Sequence, residues 1–577
     1  MNNPRVWAPE ARSVKLVVRT HRFAMQATPG GWWVLDQPQL PVGTDYRFEV
    51  DDGPPTPDPR SAFQPFGVHG PSRTVDHAAF DWTDRGWRAP PLASAVVYEL
   101  HVGTFTPEGT FQGVQSRLAY LAKLGVTHVE LMPVNEYPGS RGWGYDGVDL
   151  YAPHHAYGGP AGLKRLVDAC HAQGLAVLLD VVYNHLGPDG NYLERYGPYF
   201  TEAYRTPWGK ALNLDQAHSD EVRRFICDNA LMWLRDYHFD GLRLDAVHAL
   251  LDRSARHLLE QLGEEVLSLE GELGRPLTLI AESDLNDPRV VRPREVGGYG
   301  MHAQWSDDLH HALHARITGE RAGYYVDFGR LEHIARALRD GYVYSGQYSE
   351  HRQRRHGRSA ATVPKRRFLG YLQTHDQVGN RAQGDRIGHL APPARVRVAA
   401  ALALLSPFVP LLFQGEEWNA STAFCYFTDH QDPELGHRVS VGRRSEFSAF
   451  GWLPEEVPDP QDPETFQRSR LNWDEADSGE HGAMLDWYRA LLRLRRDYPD
   501  LTREAQEVRF DEAAGWLVLK RAGSLVAANL GEAQQRLPLP AGATLLLGSG
   551  AQVRIAGDEL WLPVDSVAVV ALERTAE

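Results

Sequence analysis

Eight short apolar runs alternate with amphipathic segments between residues 96 and 418, and four of them close on a carboxylate. The runs cover residues 96–102, 127–134, 175–184, 239–246, 278–283, 304–308, 368–376 and 410–418. Unbroken stretches of Leu, Val and Ile suit strands buried on both faces, as in a parallel sheet. Between the runs, apolar residues recur at spacings of three and four, as in Leu163, Leu166, Val167 and Cys170, or Val222, Phe225, Ile226 and Trp233. That period marks helices, and each must cover a sheet face. Eight such units predict an α/β chain closed into a (β/α)8 TIM barrel. Asp180, Asp245, Glu282 and Asp376 close four of the runs, so C-terminal strand ends would gather several carboxylates at one barrel mouth.

The flanks have a different texture. Over residues 1–90, alternating segments such as Val14-Lys-Leu-Val-Val-Arg19 and Tyr46-Arg-Phe-Glu-Val50 are separated by Pro and Gly clusters, the pattern of a small β-sandwich. Residues 91–504 hold the barrel with its loop insertions. Residues 505–577 return to short strands, Trp516-Leu-Val-Leu-Lys520 and Ser524-Leu-Val-Ala-Ala-Asn529 among them, and predict a C-terminal β-sandwich. The basic run His351-Arg-Gln-Arg-Arg-His-Gly-Arg358, in the long connection before the seventh strand, reads as a solvated loop or as a lid over the barrel mouth.

Composition narrows the partners. A net charge of -15 argues against a polyanion, whose binding draws on concentrated Lys and Arg, so no nucleic acid is expected and a neutral substrate is the simpler reading. The longest apolar stretch, residues 398–413, is broken by Ser406-Pro407 and Pro410 and reads as helix, turn and buried strand, not a membrane span. The opening Met-Asn-Asn-Pro-Arg-Val-Trp-Ala-Pro lacks the charged start and apolar stretch of a leader, which makes a cytoplasmic location the expectation. Cys170, Cys227 and Cys425 lack paired spacing and read as reduced core residues. Oligomeric state is not legible.

Cleaving an acetal with retention takes one carboxylate as nucleophile and one protonated carboxyl as acid, about 5 to 5.5 Å apart. In Gly241-Leu-Arg-Leu-Asp245, Arg243 lies two residues before Asp245 and faces the same interior; its guanidinium would keep the carboxylate ionised, as a nucleophile requires. Glu282 follows the apolar Leu277-Thr-Leu-Ile-Ala281, where desolvation would hold its proton for a leaving oxygen. Asp376 could hold sugar hydroxyls and favour a distorted ring, with His375 and His185 adding hydrogen bonds. A lone strand-end Asp is more often a helix cap, and aromatic segments such as Trp143-Gly-Tyr-Asp146 or Tyr199-Phe200 more often packing than sugar platforms. The convergence carries the reading, not any single residue.

Taken together, Asp180-Val-Val-Tyr-Asn-His185, Gly241-Leu-Arg-Leu-Asp245, Ala281-Glu282 and Thr374-His-Asp376 resemble, in order and spacing, the four signature regions of the α-amylase superfamily of glycoside hydrolases. The resemblance implies a retaining mechanism on α-glucans, with Asp245 as nucleophile, Glu282 as acid/base and Asp376 as transition-state stabiliser. It implies supporting roles for Asp180, Asn184, His185, Arg243 and His375, a ring-stacking role for Tyr145, and a carbohydrate-binding-like N-terminal sandwich. Glu99-Leu-His-Val-Gly-Thr-Phe105, Arg141-Gly-Trp-Gly-Tyr-Asp-Gly147, Tyr183-Asn-His-Leu-Gly-Pro188, Ala281-Glu-Ser-Asp-Leu-Asn-Asp-Pro288, His375-Asp-Gln-Val-Gly-Asn-Arg381 and Phe427-Thr-Asp-His430 are similar to the trehalose-releasing branch of that superfamily. The implied substrate is maltooligosyltrehalose, cut at the α-1,4 bond beside its terminal trehalose. Glucan branching and debranching enzymes are the neighbouring alternatives, and a non-catalytic glucan-binding protein is a third.

The chain departs from the superfamily pattern at two places. Thr374 stands where Asn is usual, which changes a hydrogen bond beside His375. After Asp245 comes Ala-Val-His-Ala249 without the Lys-His pair of many α-amylases, so His248 is expected on the leaving side of the cleft. Asn184 lies where calcium-binding amylases have a ligand, but the other ligands are not evident. No obligatory metal and no cofactor are expected.

Overall fold

Strands Val97–Leu100 (β1), His128–Leu131 (β2), Ala176–Val181 (β3), Gly241–Leu244 (β4), Thr278–Ala281 (β5), Ala303–Trp305 (β6), Phe368–Tyr371 (β7) and Val409–Phe413 (β8) close into one parallel barrel. The computed structural model describes residues 4–36, 40–447 and 452–573. Residues 1–3, where the leader reading begins, and 574–577, at the end of the C-terminal segment, lie outside them. Each predicted run supplies one barrel strand, shorter than the run itself. The run 368–376 shows why: the Thr374 side chain accepts a hydrogen bond from the Asp376 backbone N–H and caps a short helix, His375–Gly379, so Asp376 stands beyond the strand. Asp180 lies within β3, whereas Asp245 and Glu282 are the first residues past β4 and β5.

Strand alternation builds the interior in levels. Val97, Leu178, Ile280, Trp305, Leu369 and Leu411 pack as one apolar layer inside the ring. Two residues beyond Val97, Leu178, Ile280 and Trp305 come Glu99 and Asp180 within their strands, Glu282 just past β5 and Asp307 at the start of the helix after β6, all toward the C-terminal mouth. The chain thus stacks an acidic level on an apolar floor. Outside the ring, Leu163, Leu166, Val167 and Cys170 of helix Gly159–Ala172 are buried, as are Val222, Phe225, Ile226 and Trp233 of helix Ser219–Asp236. All three cysteines are free and buried. Residues 398–413 run from helix Pro393–Leu404 through a turn into β8, and among the described residues no helix is long and apolar enough to cross a membrane.

Before the barrel come a three-stranded antiparallel sheet (Arg5–Trp7, Trp32–Val34, Gln26–Thr28) and a four-stranded one (His21–Ala24, Val14–Val18, Asp45–Val50, Ser72–Arg73). Their apolar faces join the barrel core: Val6, Trp7, Leu16 and Phe48 belong to the same buried cluster as the barrel helices. Trp7 meets Tyr199 edge-on with ring centroids 5.3 Å apart, the Thr56 hydroxyl lies 2.8 Å from that of Tyr196, and Arg60 pairs with Asp228 at 2.8 Å. After the barrel, a five-stranded sheet and a three-stranded sheet enclose a core with Val518, Leu525, Ala527, Leu537, Leu560 and Val570, while the other face of the five-stranded sheet, with Leu517, Leu519, Val526 and Val567, joins the barrel core.

Candidate active site

Arg243 organises the mouth of the barrel. Its side chain is fully buried, with the guanidinium carbon 4.2 Å from the centre of the Trp305 ring. Nη1 donates to both oxygens of Asp180 at 2.8 Å and to Asp245 Oδ1 at 2.7 Å. Nη2 lies 3.0 Å from Glu282 Oε2, near enough for an ion pair though off the line of a hydrogen bond. Asp245 and Glu282 therefore sit on the two arms of one guanidinium. Asn184 Nδ2 donates to Asp245 Oδ2 at 2.7 Å and to its carbonyl at 2.9 Å, while Asn184 Oδ1 faces His185 Nδ1. Both ends of the Asn184 amide are thus engaged within the protein.

The surroundings push the two carboxyls in opposite directions. Burial pushes both up. At Asp245 the charges of Arg243 and His185 and the hydrogen bond from Asn184 outweigh it, and the group is held below its ordinary range. At Glu282 burial prevails over Arg243 and is reinforced by the negative charges of Asp245, Asp376 and Asp307, so its proton is held well above the ordinary range. Asp180 is pushed up to about 6, by burial first, against the pull of Arg243. Ala246, between the nucleophile candidate and the next turn, has a left-handed φ of 39°, a conformation that costs an L-residue roughly 1–2 kcal/mol. Its N–H donates to Glu282 Oε2 at 2.8 Å, so the strained residue ties one acid to the chain carrying the other.

His375 stands on a second buried pair. Its backbone N–H donates to Glu99 Oε2 at 3.0 Å and its Nδ1 to Glu99 Oε1 at 2.5 Å, while Nε2 lies 3.5 Å from Asp376 Oδ1. Burial pulls the imidazole down, but the charges of Glu99 and Asp376 overcome it and raise it to about 9. A histidine raised from about 6.5 unfolded to about 9 folded contributes stability that is fully present below pH 6.5 and is lost as pH rises through 9. Replacing Glu99 by Gln is expected to flatten the fall in melting temperature between those pH values; an unchanged slope in thermal melts of the two proteins contradicts it. Tyr145 stacks on the His375 ring at 5.1 Å and donates its hydroxyl to Asp180 Oδ2 at 2.6 Å. His185 Nε2 lies 3.0 Å from the Tyr145 carbonyl, and Asn380 Nδ2 donates to Asp376 Oδ1 at 3.1 Å.

A cleft of about 710 Å³ opens beside this group, bounded by Glu282, Asp376, Asp307, Asp284 and Arg352. Of the residues singled out from sequence, Asp180, Asn184, His185, Arg243, Asp245, Glu282, His375, Asp376 and Tyr145 are linked by the contacts above. His248 is not among them: it borders an adjoining cavity with Ser283 and Leu285, its Nε2 3.8 Å from Asp284 Oδ1. Residues 348–355 of the basic segment form a small hairpin, Tyr348–Ser349 against Arg354–Arg355, and Arg352 reaches Asp284 at 3.1 Å, making this segment a wall of the cleft.

Sequence reading did not single out Glu99, Glu130, Asp307 or Trp208. Glu99 and Glu130 carried a signal, a lone acid inside an apolar strand, and Asp307 opens the acid pair Asp307-Asp308 just after one. Glu130 is buried with neither carboxyl oxygen bonded, and burial and the Glu99 charge push it well up. Asp307, pushed up to about 7 chiefly by burial, accepts from Tyr371 at 2.6 Å. Trp208, half exposed at a hairpin tip, stacks on His185 at 4.9 Å; nothing in the chain pattern separates it from a surface residue.

A buried guanidinium between two carboxyls pushed in opposite directions, at the mouth of a parallel barrel, is the site of a glycoside hydrolase of the α-amylase class. Residues 73–208 match the model of the α-amylase catalytic domain, and residues 503–569 match a domain of unknown function. The chain is 51% identical to a malto-oligosyltrehalose trehalohydrolase from Arthrobacter ramosus, covering 98% of this chain and 99% of that one, and 49% identical to one from a Rhizobium species, covering 98% and 97%. It belongs to the malto-oligosyltrehalose trehalohydrolase family. A solved structure from Salmonella typhimurium, described as an alpha amylase, is similar with a TM-score of 0.90 at 40% identity, over 98% of this chain and 97% of that one.

Proposed function

We propose that this chain is a retaining glycoside hydrolase that cuts the α-1,4-glucosidic bond beside the terminal trehalose of maltooligosyltrehalose, releasing trehalose and a maltooligosaccharide. The observation that carries the chemistry is the shared guanidinium of Arg243, which holds Asp245 and Glu282 side by side, the first pushed below its ordinary range and the second pushed above it by burial. The substrate follows from relatives of nearly equal length that bear this activity in their names. Asp245 attacks the anomeric carbon while Glu282 gives its proton to the departing O4 of trehalose, so the C1–O4 bond breaks as the C1–Oδ bond forms. Glu282, now ionised, takes a proton from water, whose oxygen attacks the same carbon and frees Asp245. Asp376 and His375 engage sugar hydroxyls, and Asp180, Asn184, His185, Tyr145 and Arg243 hold the reacting groups in place.

Product analysis on a defined trehalose-capped maltooligosaccharide tests the reading. Trehalose as the first small product, with the new reducing end formed in the α configuration, is expected; new α-1,6 branches or equal cutting of plain maltooligosaccharides overturn it. The same roles set a bell-shaped pH profile for kcat/KM. Its acid limb, from protonation of Asp245, falls below the ordinary carboxylate range, and its alkaline limb, from ionisation of Glu282, falls above it. An alkaline limb at the pH of a solvent-exposed Glu contradicts the assignment. The working division of the chain is residues 1–90, 91–504 and 505–577, the last supported by the separate match over 503–569. The proposed location is cytoplasmic, which the three unpaired, buried cysteines support.

A further inference from the structure

The loop that carries Trp143 and Tyr145 begins at strand Asn135–Glu136 and returns as strand Asp149–Pro153, the two paired antiparallel. At the foot of that loop, Glu136, His154 and His155 bring a carboxylate oxygen and two imidazole nitrogens within 4.8 Å of one another. The side chains of Glu136 and His154 are 0% exposed and that of His155 is 29% exposed, so the group is buried with one edge on solvent. Glu136 Oε1 lies 2.7 Å from His155 Nδ1 and 3.3 Å from His154 Nδ1, the latter off hydrogen-bond geometry, and Oε2 accepts the His155 backbone N–H at 2.9 Å. Neither ring nitrogen of His154 has a hydrogen-bond partner, which a fully buried imidazole rarely tolerates. Asp149, opposite Glu136 in the strand pairing, adds a buried carboxyl oxygen that also lacks a partner.

We propose that Glu136, His154 and His155 form a binding site for a divalent transition-metal ion of the zinc type, which clasps the foot of the Tyr145 loop. Two imidazoles and one carboxylate are a ligand set that suits such ions. Ligand atoms at about 2.0–2.1 Å from a tetrahedral ion stand about 3.3 Å apart. His154 and Glu136 already have that spacing, and the His155 ring, 2.7 Å from Glu136 at the solvent edge, is free to draw back from it on binding. The Tyr137 ring stacks on His154 with centroids 3.9 Å apart, and its hydroxyl donates to that of Tyr157 at 2.7 Å, an outer shell that fixes the plane of the inner imidazole. None of the three ligands borders the cleft at Glu282 and Asp376, so the ion is structural and takes no part in the cut.

Zinc sulfate added to chelator-treated, untagged full-length protein tests the site. One zinc retained per chain after equilibrium dialysis is expected, with the apparent melting temperature raised by about 3 °C or more at saturation. His155→Ala, at a part-exposed position, should keep the far-UV circular dichroism of the parent while losing that equivalent and any rise in melting temperature with zinc over its own metal-free value; Glu136→Gln should lose both too. Failure of the parent chain to retain zinc, or equal retention by His155→Ala, overturns the proposal. Should Glu136→Gln not fold, the His155 variant decides alone.

Discussion

Asp245→Asn is expected to lower kcat on maltooligosyltrehalose on the order of 10⁴-fold or more, because the amide cannot form the glycosyl ester through which the proposed reaction passes. Glu282→Gln should cost about 10²–10⁴-fold with the natural substrate, the range of a lost general acid. The two variants part company when the leaving group needs no proton. With an α-maltosyl fluoride, the first step of Glu282→Gln should recover much of its rate and that of Asp245→Asn should not. Azide should then accelerate turnover in Glu282→Ala by attacking the trapped intermediate, giving a glycosyl azide. Recovery by Asp245→Asn instead, or equal behaviour of the two, would invert or remove the roles. Circular dichroism and melting of each variant separate chemical loss from unfolding.

The second large effect is expected at Arg243. Three carboxyls surround its guanidinium in a region closed to solvent, and removal of one member of a buried ion group typically costs about 3–5 kcal/mol because the remaining charges lose their partner. Arg243→Met should therefore lower the denaturant midpoint of the barrel transition strongly and also suppress activity. Its surviving activity should show an acid limb displaced to higher pH, since Asp245 loses the charge that holds its carboxyl down. Arg243→Lys should restore charge but only part of the loss, because one ammonium cannot span two arms of a fork. A Met variant as stable as the parent, with the same pH profile, would show that the guanidinium neither braces the ring nor sets the protonation of the acids.

The eight strands were legible because burial on both faces leaves a run of branched apolar residues that few other settings produce. Their ends were less so. Asp376 reads as the last residue of a strand, yet the Thr374 hydroxyl turns the chain into a helix four residues after β7 ends, a local cap that a long apolar run conceals. Among site residues, Arg243 and Asp245 were readable from their spacing of two. Glu99 and Glu130 were masked by the same apolar surroundings that identify β1 and β2. His154 and His155 look like ordinary loop residues, because Glu136 lies far from them in the chain and only the strand pairing brings the three together. His248, just after Asp245, follows the turn that begins at Ala246 and borders the adjoining cavity, 3.8 Å from Asp284 of the cleft wall.

The shared core of the leading sheets and the barrel limits how this protein can be dissected. A polypeptide starting at residue 91 would strip Trp7 from Tyr199, Phe48 and Thr56 from Tyr196, and Arg60 from Asp228. Greasy rings would be laid open to water on the shoulder of the catalytic ring. The first ninety residues are therefore a lining sewn into the garment, and the far end is stitched in as well, since Leu517, Leu519, Val526 and Val567 of the final sheets share the barrel's buried cluster.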